Sequence, residues 1–426
     1  MTTKRPPTSI YFDNLPQMPL RERDRRWNAL RAWMETQEID CLLSVGNDLT
    51  FGLGMGNFRY LSNCAPRHGG FVIFPRTGEP VMFAEPFHMT RPIHPCLVAH
   101  NWISNVYFDD GIQSVMNELL NIVSPLKKLG LVSGANTVQY QNMPYDVYGA
   151  IIEGLKGVEI VDASKQIFDM RGIKSDDEVD FLRKAGKIHN KVLQAKIDAA
   201  RADATEADVF AAMMHTMLIN GAESQGFNLL TSGPADSDEY QHLLHGLDAD
   251  MCPTMRKLAK GDIILSESHV SFGGYMTAAE ITVAIGPPPK AIERLYSVGV
   301  EALHAAMEKM KPGNLIGDAL DAERRVIDKY NIDILELGFH GHGLGSPEPP
   351  KAILMHSDEA RIPLTKRVTM AQRETPFQKN MVFGTNCDIF DGNWRTDVGI
   401  MFGDCIVIGD SAPELLVNTP QKIAIK

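Results

Sequence analysis

The chain has 426 residues, 44% of them apolar, which is enough to bury a sizeable core in two or three domains. Its 42 Lys and Arg are outnumbered by 53 Asp and Glu, and the resulting net charge of −11 argues against duplex DNA or an anionic membrane as the main partner. No apolar stretch reaches the length of a membrane span, the amino terminus lacks the apolar centre of a signal peptide, and six dispersed cysteines indicate a reducing compartment. We therefore expect a cytoplasmic protein that binds neither nucleic acid nor membrane.

The first 170 residues alternate helical and strand patterns. Residues 21–36 carry apolar side chains at helical spacing, and the later runs GFVIF and VMFAE flank a turn and predict a hairpin. We therefore predict an α/β domain over residues 1–170. The run GLGMG at Gly52–Gly56 lacks the spacing of a dinucleotide-binding loop, and no helical pattern follows it. Short apolar runs predict further strands that begin at Cys41, Leu129 and Val158.

Two helix starts open the second part of the chain. Ser175 with Glu178, and Thr205 with Asp208, have the spacing of a capping box, and each pair precedes a periodic apolar run. A side-chain oxygen at the first position of such a box accepts a hydrogen bond from the backbone at the fourth. The sequence therefore predicts one helix after each box.

A hairpin and a second set of helices and strands follow. The segments GDIILSESHV and YMTAAEITVAIG, joined at Ser271–Gly274, predict an antiparallel pair of strands. Two helices followed by strands, occurring twice, predict a pseudo-duplicated α+β domain over residues 171–426 in which helices cover a sheet. The polar segment 357–379 is predicted to be a surface excursion. The second set comprises helices over 290–311 and 316–331 and strands near 337–342, 381–388 and 398–407.

Three segments, IKSDDEVDFLRKAGKIHN, KGDIILSESHVSFGGYMTAAEIT and GHGLGSPEPP, resemble the creatinase, prolidase and methionine aminopeptidase family. The resemblance spans nearly the whole chain. It implies a creatinase-like N-terminal α/β domain over residues 1–170 and a pita-bread catalytic domain with pseudo-two-fold duplication over 171–426. It also implies a homodimer in which each pocket is closed by the partner's N-terminal domain.

The metallopeptidase branch of that family binds two divalent metals through two Asp, one His and two Glu. Ala and Gly have no donor atom, and an Asn amide oxygen is a poor replacement for a carboxylate. The resemblance therefore implies a site without metal, and we expect no other cofactor. The positions that match the five ligands are occupied by Glu267, Ala278, His342, Asn386 and Gly403.

Creatinase and ectoine hydrolase act on small polar substrates without metal, and the chain resembles them in and near the hairpin. The resemblance gives Glu267 the role of nucleophile or base, Glu280 that of holding a substrate cation, and Arg67 that of gripping the substrate carboxylate. One departure concerns the general-base histidine of creatinase, because residues 250–252 of this chain, where it is expected, read DMC.

Strand alternation puts Ala278 and Glu280 on one face of the hairpin, and the resemblance puts Glu267 facing Ala278. We therefore expect both carboxylates in one pocket, near each other but not directly across. Two acids in a small pocket separate in pKa, which leaves one ionised and the other able to donate a proton. His269 lies on the same face as Glu267 and is a second candidate acid or base. His342 is flanked by glycines, which predicts an accessible imidazole with a pKa near neutrality, suited to donating a proton.

We therefore expect a metal-independent hydrolase of a C–N bond in a small zwitterionic amidine, guanidino or cyclic amino-acid compound. Glu267 attacks or activates water, Glu280 polarises the nitrogen group, and His342 protonates the leaving nitrogen. Lys351 and Asn386 are further substrate-binding candidates. The alternatives are a metal-dependent Xaa-Pro peptidase-like enzyme or lyase of the same fold, and a non-catalytic binding module.

Overall fold

The structure is a computed structural model, and the chain divides into two compact units. One consists of Met1–Arg171 with Leu344–Ser346, the other of Gly172–Gly343 with Pro347–Lys426. No helix in the described part of the chain is long and apolar enough to cross a bilayer. The described residues are 16–46, 55–65, 69–84, 101–108, 111–135, 141–223, 227–244, 253–355 and 372–426.

A mixed six-stranded sheet forms the centre of the first unit, in the order β4-β3-β2-β1-β5-β8. Strand β1 is buried along its whole length, because it pairs with β2 on one side and with β5 on the other. The elements are α1 (Leu20–Thr36), β1 (Cys41–Gly46), α2 (Gly56–Ser62), β2 (Gly70–Pro75), β3 (Val81–Ala84), β4 (Asn105–Phe108), α3 (Ile112–Ile122), β5 (Lys128–Val132), β6 (Gly134–Ala135), β7 (Gln141–Asn142), α4 (Tyr145–Gly154), β8 (Glu159–Asp162) and α5 (Ser164–Gly172).

One prediction for this unit is wrong. A short helix, α2, does begin within the glycine-rich run, at Gly56. Six of its seven residues are buried, so it is held by packing on all sides rather than by one periodic apolar stripe. The earlier glycines of the run lie outside the described residues.

The second unit contains two sheets with helices packed against them. Its elements are α6 (Asp176–Ala199), α7 (Glu206–Ile219), β9 (Leu229–Pro234), β10 (Asp262–Phe272), β11 (Tyr275–Ala284), α8 (Lys290–Met307), α9 (Ile316–Lys329), β12 (Asp333–Gly341), β13 (Glu348–Met355), β14 (Val382–Phe390), β15 (Gly399–Ile400), β16 (Cys405–Ile408), β17 (Pro413–Leu415) and β18 (Ala424–Ile425).

Helix pairs and strands alternate twice in this unit, as the sequence predicts. The first sheet has the order β18-β11-β10-β9 and the second has the main order β13-β12-β14-β16-β17. The two sheets meet at an isolated bridge between Glu280 and Gly403. The strand predicted over 398–407 is interrupted around that glycine, and of the predicted excursion over 357–379 only residues 372–379 are described.

Both capping boxes form at the helix starts. Ser175 Oγ accepts the Glu178 backbone N–H at 3.2 Å, and the Glu178 carboxylate accepts the Ser175 N–H at 2.8 Å. Thr205 and Asp208 make the same reciprocal pair at the start of α7. Each box satisfies backbone donors that the first helical turn would otherwise leave unpaired.

A two-residue turn fixes the register of the β10–β11 hairpin. Gly273 and Gly274 have φ values of 59° and 86°, the left-handed pair that a tight hairpin turn requires and that favours glycine. Counting back from this turn pairs Glu267 directly with Glu280. The prediction that these two glutamates are not directly across from each other is therefore wrong.

Candidate active site

Glu267 and His269 form a buried acid–histidine pair on β10. They lie on one face of the strand, as predicted, and the Glu267 Oε1 to His269 Nε2 distance is 2.8 Å. Only 6% of Glu267 and 3% of His269 is exposed. The His269 backbone N–H donates to Asn228 Oδ1 at 3.1 Å, which fixes the strand at this point. A carboxylate hydrogen-bonded to an imidazole is an arrangement that accepts and returns protons.

Glu280 faces this pair from β11 and is almost fully buried. Asn386 Nδ2 donates to Glu280 Oε1 at 2.7 Å. Burial first, and then the neighbouring charges of Asp388, Glu267 and Glu336, raise the pKa of Glu280 well above its ordinary value. This raised pKa favours the protonated form of Glu280 beside the Asp388 carboxylate, with which it interacts directly.

The second sheet contributes the opposite wall of the site. Asn386 and Asp388 lie on the same face of β14, because strand residues alternate between faces. On the neighbouring strand β12, Glu336 pairs with Asp388 and His340 pairs with Gly384, so both share that face. Four acids thus belong to one cluster, which we call the acid cluster: Glu267, Glu280, Glu336 and Asp388.

His342 does not have the accessibility predicted for it. Its side chain is fully buried, and its ring centroid lies 4.7 Å from that of His340 and 5.5 Å from that of His269. Burial, and then the neighbouring histidines, lower its pKa well below the ordinary value. The neutral imidazole is therefore favoured, and the predicted accessibility and near-neutral pKa of His342 are wrong, whereas its role as a proton donor stays a prediction.

The glycines beside His342 serve close packing rather than access. A Cβ atom on Gly343 would lie 2.9 Å from both the Glu348 carboxylate and the Lys174 side chain. Those two residues form a buried ion pair with an N–O distance of 3.2 Å. The backbone thus needs glycine there to approach the pair.

Lys351 lies at the edge of this face. It pairs with His340 across β13 and β12, so the two side chains point the same way. Burial lowers the pKa of Lys351, while the nearby Glu336 opposes that change.

Arg67 and residues 250–252 lie outside the described residues, and the role of Arg67 stays a prediction.

The positions of the family's metal ligands do not form a metal cage in this chain. A Cβ atom on Gly403 would lie 2.1 Å from the Thr385 carbonyl oxygen and 2.9 Å from Glu280 Oε2, so no side chain fits there. Ala278 stands opposite His269 and offers no donor. Among the residues that the structure describes, no group of three or more His, Cys, Asp or Glu side chains is arranged to hold a metal ion. The residues therefore do not fit the two-metal centre.

Three members of the site were not selected from the sequence: Glu336, His340 and Asp388. A signal for each of them was present. Glu336 and His340 alternate with the apolar Leu337 and Phe339, the period-two pattern of a strand with one polar face. Asp388 follows Asn386 at the same spacing on β14.

Two family profiles match almost the whole chain. Metallopeptidase family M24 matches residues 180–410. The creatinase/prolidase N-terminal domain matches residues 26–173. Together they support the predicted fold class, an α/β N-terminal domain followed by a pita-bread α+β domain, which is confirmed.

Curated relatives and solved structures agree with this assignment. The chain is 26% identical to an Xaa-Pro dipeptidase from Pyrococcus horikoshii over 320 residues, covering 74% of this chain and 79% of that protein. A second match, to the Xaa-Pro dipeptidase of Pyrococcus furiosus, is 26% identical and covers 42% of this chain and 49% of that protein. The prolidase structure from P. horikoshii has a TM-score of 0.71 at 21% identity, covering 93% of this chain and 99% of that one. The Xaa-Pro dipeptidase structure from Bacillus anthracis has a TM-score of 0.72 at 18% identity, covering 95% and 100%.

These comparisons correct the predicted function. The relatives are peptidases of a metallopeptidase family, so the expected metal-independent, creatinase-like hydrolase of a non-peptide C–N bond is wrong. The family itself was recognised correctly, but the predicted creatinase and ectoine hydrolase branch was not the one to which these relatives belong. The family profile spans more than half of the chain, and the chain belongs to metallopeptidase family M24.

Proposed function

We propose that the chain is a dipeptidase that hydrolyses small Xaa-Pro-like substrates. The observation that carries this proposal is the buried Glu267–His269 pair, with its 2.8 Å hydrogen bond, at the centre of a face lined by the acid cluster. The Xaa-Pro dipeptidases among its relatives supply the substrate class.

The pair supplies the proton transfers of peptide hydrolysis. Glu267 and His269 accept a proton from a water molecule, and the resulting hydroxide attacks the carbonyl carbon of the substrate. The peptide C–N bond then breaks, and the proton passes to the leaving nitrogen. Burial of both side chains keeps this transfer away from bulk water.

The charges on either side of the pair match the two ends of a free dipeptide. The acid cluster offers negative charge to the substrate α-ammonium, and Asn386 Oδ1, which has no hydrogen-bond partner among the described residues, is an additional acceptor. Lys351, on the same face, offers positive charge to the substrate carboxylate. A zwitterionic substrate thus meets a complementary charge at each end.

The spacing of these charges favours a dipeptide over a longer peptide. Asn386 and Lys351 lie two strands apart and are offset by two residues along the sheet. Typical strand spacings place their Cα atoms about 12 Å apart. Strand side chains stand roughly perpendicular to the sheet, so a substrate that bridges Asn386 and Lys351 spans at most a few extended residues, and a long peptide does not fit between them.

A substrate panel tests the proposal. Purified protein is assayed against Ala-Pro, Leu-Pro and Phe-Pro, with Ala-Ala and Leu-Gly as dipeptide controls and Ala-Pro-Ala as a length control. Each assay is run without added metal and with Mn²⁺, Co²⁺ or Zn²⁺, so that a lack of metal cannot explain an absence of cleavage. Preferential cleavage of the Xaa-Pro dipeptides is expected, and the absence of cleavage in every condition would overturn the proposal.

A second candidate, a non-catalytic binding module, is favoured by the altered ligand positions. Gly403 has no space for a side chain, and Asn386 bonds to Glu280. This candidate predicts that the same dipeptides bind in calorimetry without being cleaved. Cleavage of any of these dipeptides would exclude the binding module and support the dipeptidase.

The homodimer and the cytoplasmic location expected from the sequence stay predictions. Light scattering on the purified protein tests the dimer. Substrate carboxylate binding by Arg67 is tested separately, because Arg67→Ala should raise KM for dipeptides more than it lowers kcat.

A further inference from the structure

A buried lysine lies directly behind the acid–histidine pair. Lys196 on α6 is 0% exposed, and its Nζ donates to Ser266 Oγ at 2.6 Å. Ser266 precedes Glu267 in β10, so alternation turns the serine toward the helix and the glutamate toward the site. The Lys196 ammonium group therefore lies on the opposite face of β10 from the Glu267 carboxylate. The two groups interact electrostatically.

A second contact between helix and strand repeats this arrangement. His189, two helical turns before Lys196, bonds to Ser268 Oγ at 2.9 Å through Nε2 and to Thr277 Oγ1 at 3.0 Å through Nδ1. Ser266 and Ser268 thus both bond to side chains of α6, on the face of β10 opposite the site. A one-residue slip of β10 would turn these serines into the site and the glutamate into the helix interface.

Stability alone does not account for a lysine at this position. A buried ammonium loses its hydration, which disfavours folding unless good partners replace the water. In the described part of the chain, the charged or titratable groups that interact with Lys196 are His189 on the same helix and Glu267 on the strand. The only opposite charge among these is Glu267, so the charge of Lys196 acts on that carboxylate.

We propose that Lys196 is a positioning residue that holds Glu267 on the site face and favours its ionised form from behind the strand. The ammonium bonds to Ser266 and thereby fixes the orientation of the next residue. In its protonated form Lys196 also stabilises the Glu267 carboxylate, the form that accepts a proton. The positioning role does not depend on the proposed function. Only its expected effect on kcat rests on that function.

A double-mutant cycle tests the coupling without any substrate. Lys196→Met, Glu267→Gln and the double variant are compared with the wild type by the midpoint of urea unfolding. Methionine keeps most of the lysine volume, and Ser266 can still donate to the Ile281 carbonyl oxygen, 3.4 Å away. Lys196→Met should raise the midpoint more in the Glu267→Gln background, because the attraction to Glu267 is then already lost. Additive effects would overturn the proposal.

Kinetics on an Xaa-Pro dipeptide supply the second readout. Lys196→Met should lower kcat at least tenfold while KM stays within about threefold, since the residue acts on the base and not on the substrate. Lys191→Met, on the exposed side of the same helix, is the matched control and should change neither. An unchanged kcat in the Lys196 variant contradicts the positioning role. If the wild type cleaves no dipeptide, the proposed function fails, and the unfolding cycle alone decides on Lys196.

Discussion

Replacing Lys196 by Met should change how stability depends on pH. Burial lowers the pKa of Lys196 from 10.5 to about 7. Between these two values the unfolded chain carries a proton that the folded chain has released, so the free energy of unfolding of the wild type falls as pH is lowered from about 10.5 to about 7. A pKa shift of this size corresponds to about 5 kcal/mol in the free energy of unfolding. The methionine variant lacks this titration.

The variant should therefore be more stable than the wild type at pH 7, and its advantage should shrink toward pH 10. The lost hydrogen bond from the charged Lys196 to Ser266 offsets about 1.5–3 kcal/mol, which leaves a net gain of about 2–3.5 kcal/mol at pH 7. Urea unfolding followed by circular dichroism at four pH values measures the difference. A difference that does not vary with pH, or a variant less stable than the wild type at pH 7, would refute this reasoning.

Three further outcomes follow from the packing and the charges. Gly403→Ala places a Cβ atom 2.1 Å from the Thr385 carbonyl oxygen, so urea unfolding should show a loss of about 3 kcal/mol or more in the free energy of unfolding. The control Gly149→Ala has open space around it and should not destabilise the fold. Ser175→Ala removes a capping box and should lower stability by about 1 kcal/mol in thermal unfolding, and an unchanged melting temperature would contradict the cap. A dipeptide ammonium near Glu280 favours its ionised form, so binding at pH 7 should release a proton, seen as different calorimetric heats in phosphate and Tris; equal heats would argue against that contact.

Local sequence patterns predicted the elements of this fold well. The capping boxes at Ser175 and Thr205 mark helix starts because they depend on residues only three positions apart. Alternation placed His269 beside Glu267 for the same reason. The register of the hairpin was missed, although the two glycines at 273 and 274 determine it once they are taken as a two-residue turn.

Long-range burial could not be read from the same patterns. His342 looks accessible in sequence because glycines flank it, but those glycines allow close packing around a buried ion pair. Asp388 and Glu280 meet only because two separate sheets come together at Gly403. A signal for Lys196 did exist, because this lysine falls on the apolar stripe of α6 that contains Leu182 and Val192.

The central claim is that the Glu267–His269 pair performs the proton transfer of dipeptide hydrolysis. Glu267→Gln keeps the size of the side chain and removes its basicity, so kcat on an Xaa-Pro dipeptide should fall at least about 100-fold while the dissociation constant of the dipeptide stays within about threefold. Glu301→Gln, a surface carboxylate bonded to Lys329, is the matched control and should retain wild-type turnover. Wild-type turnover in the Glu267→Gln variant would contradict the account.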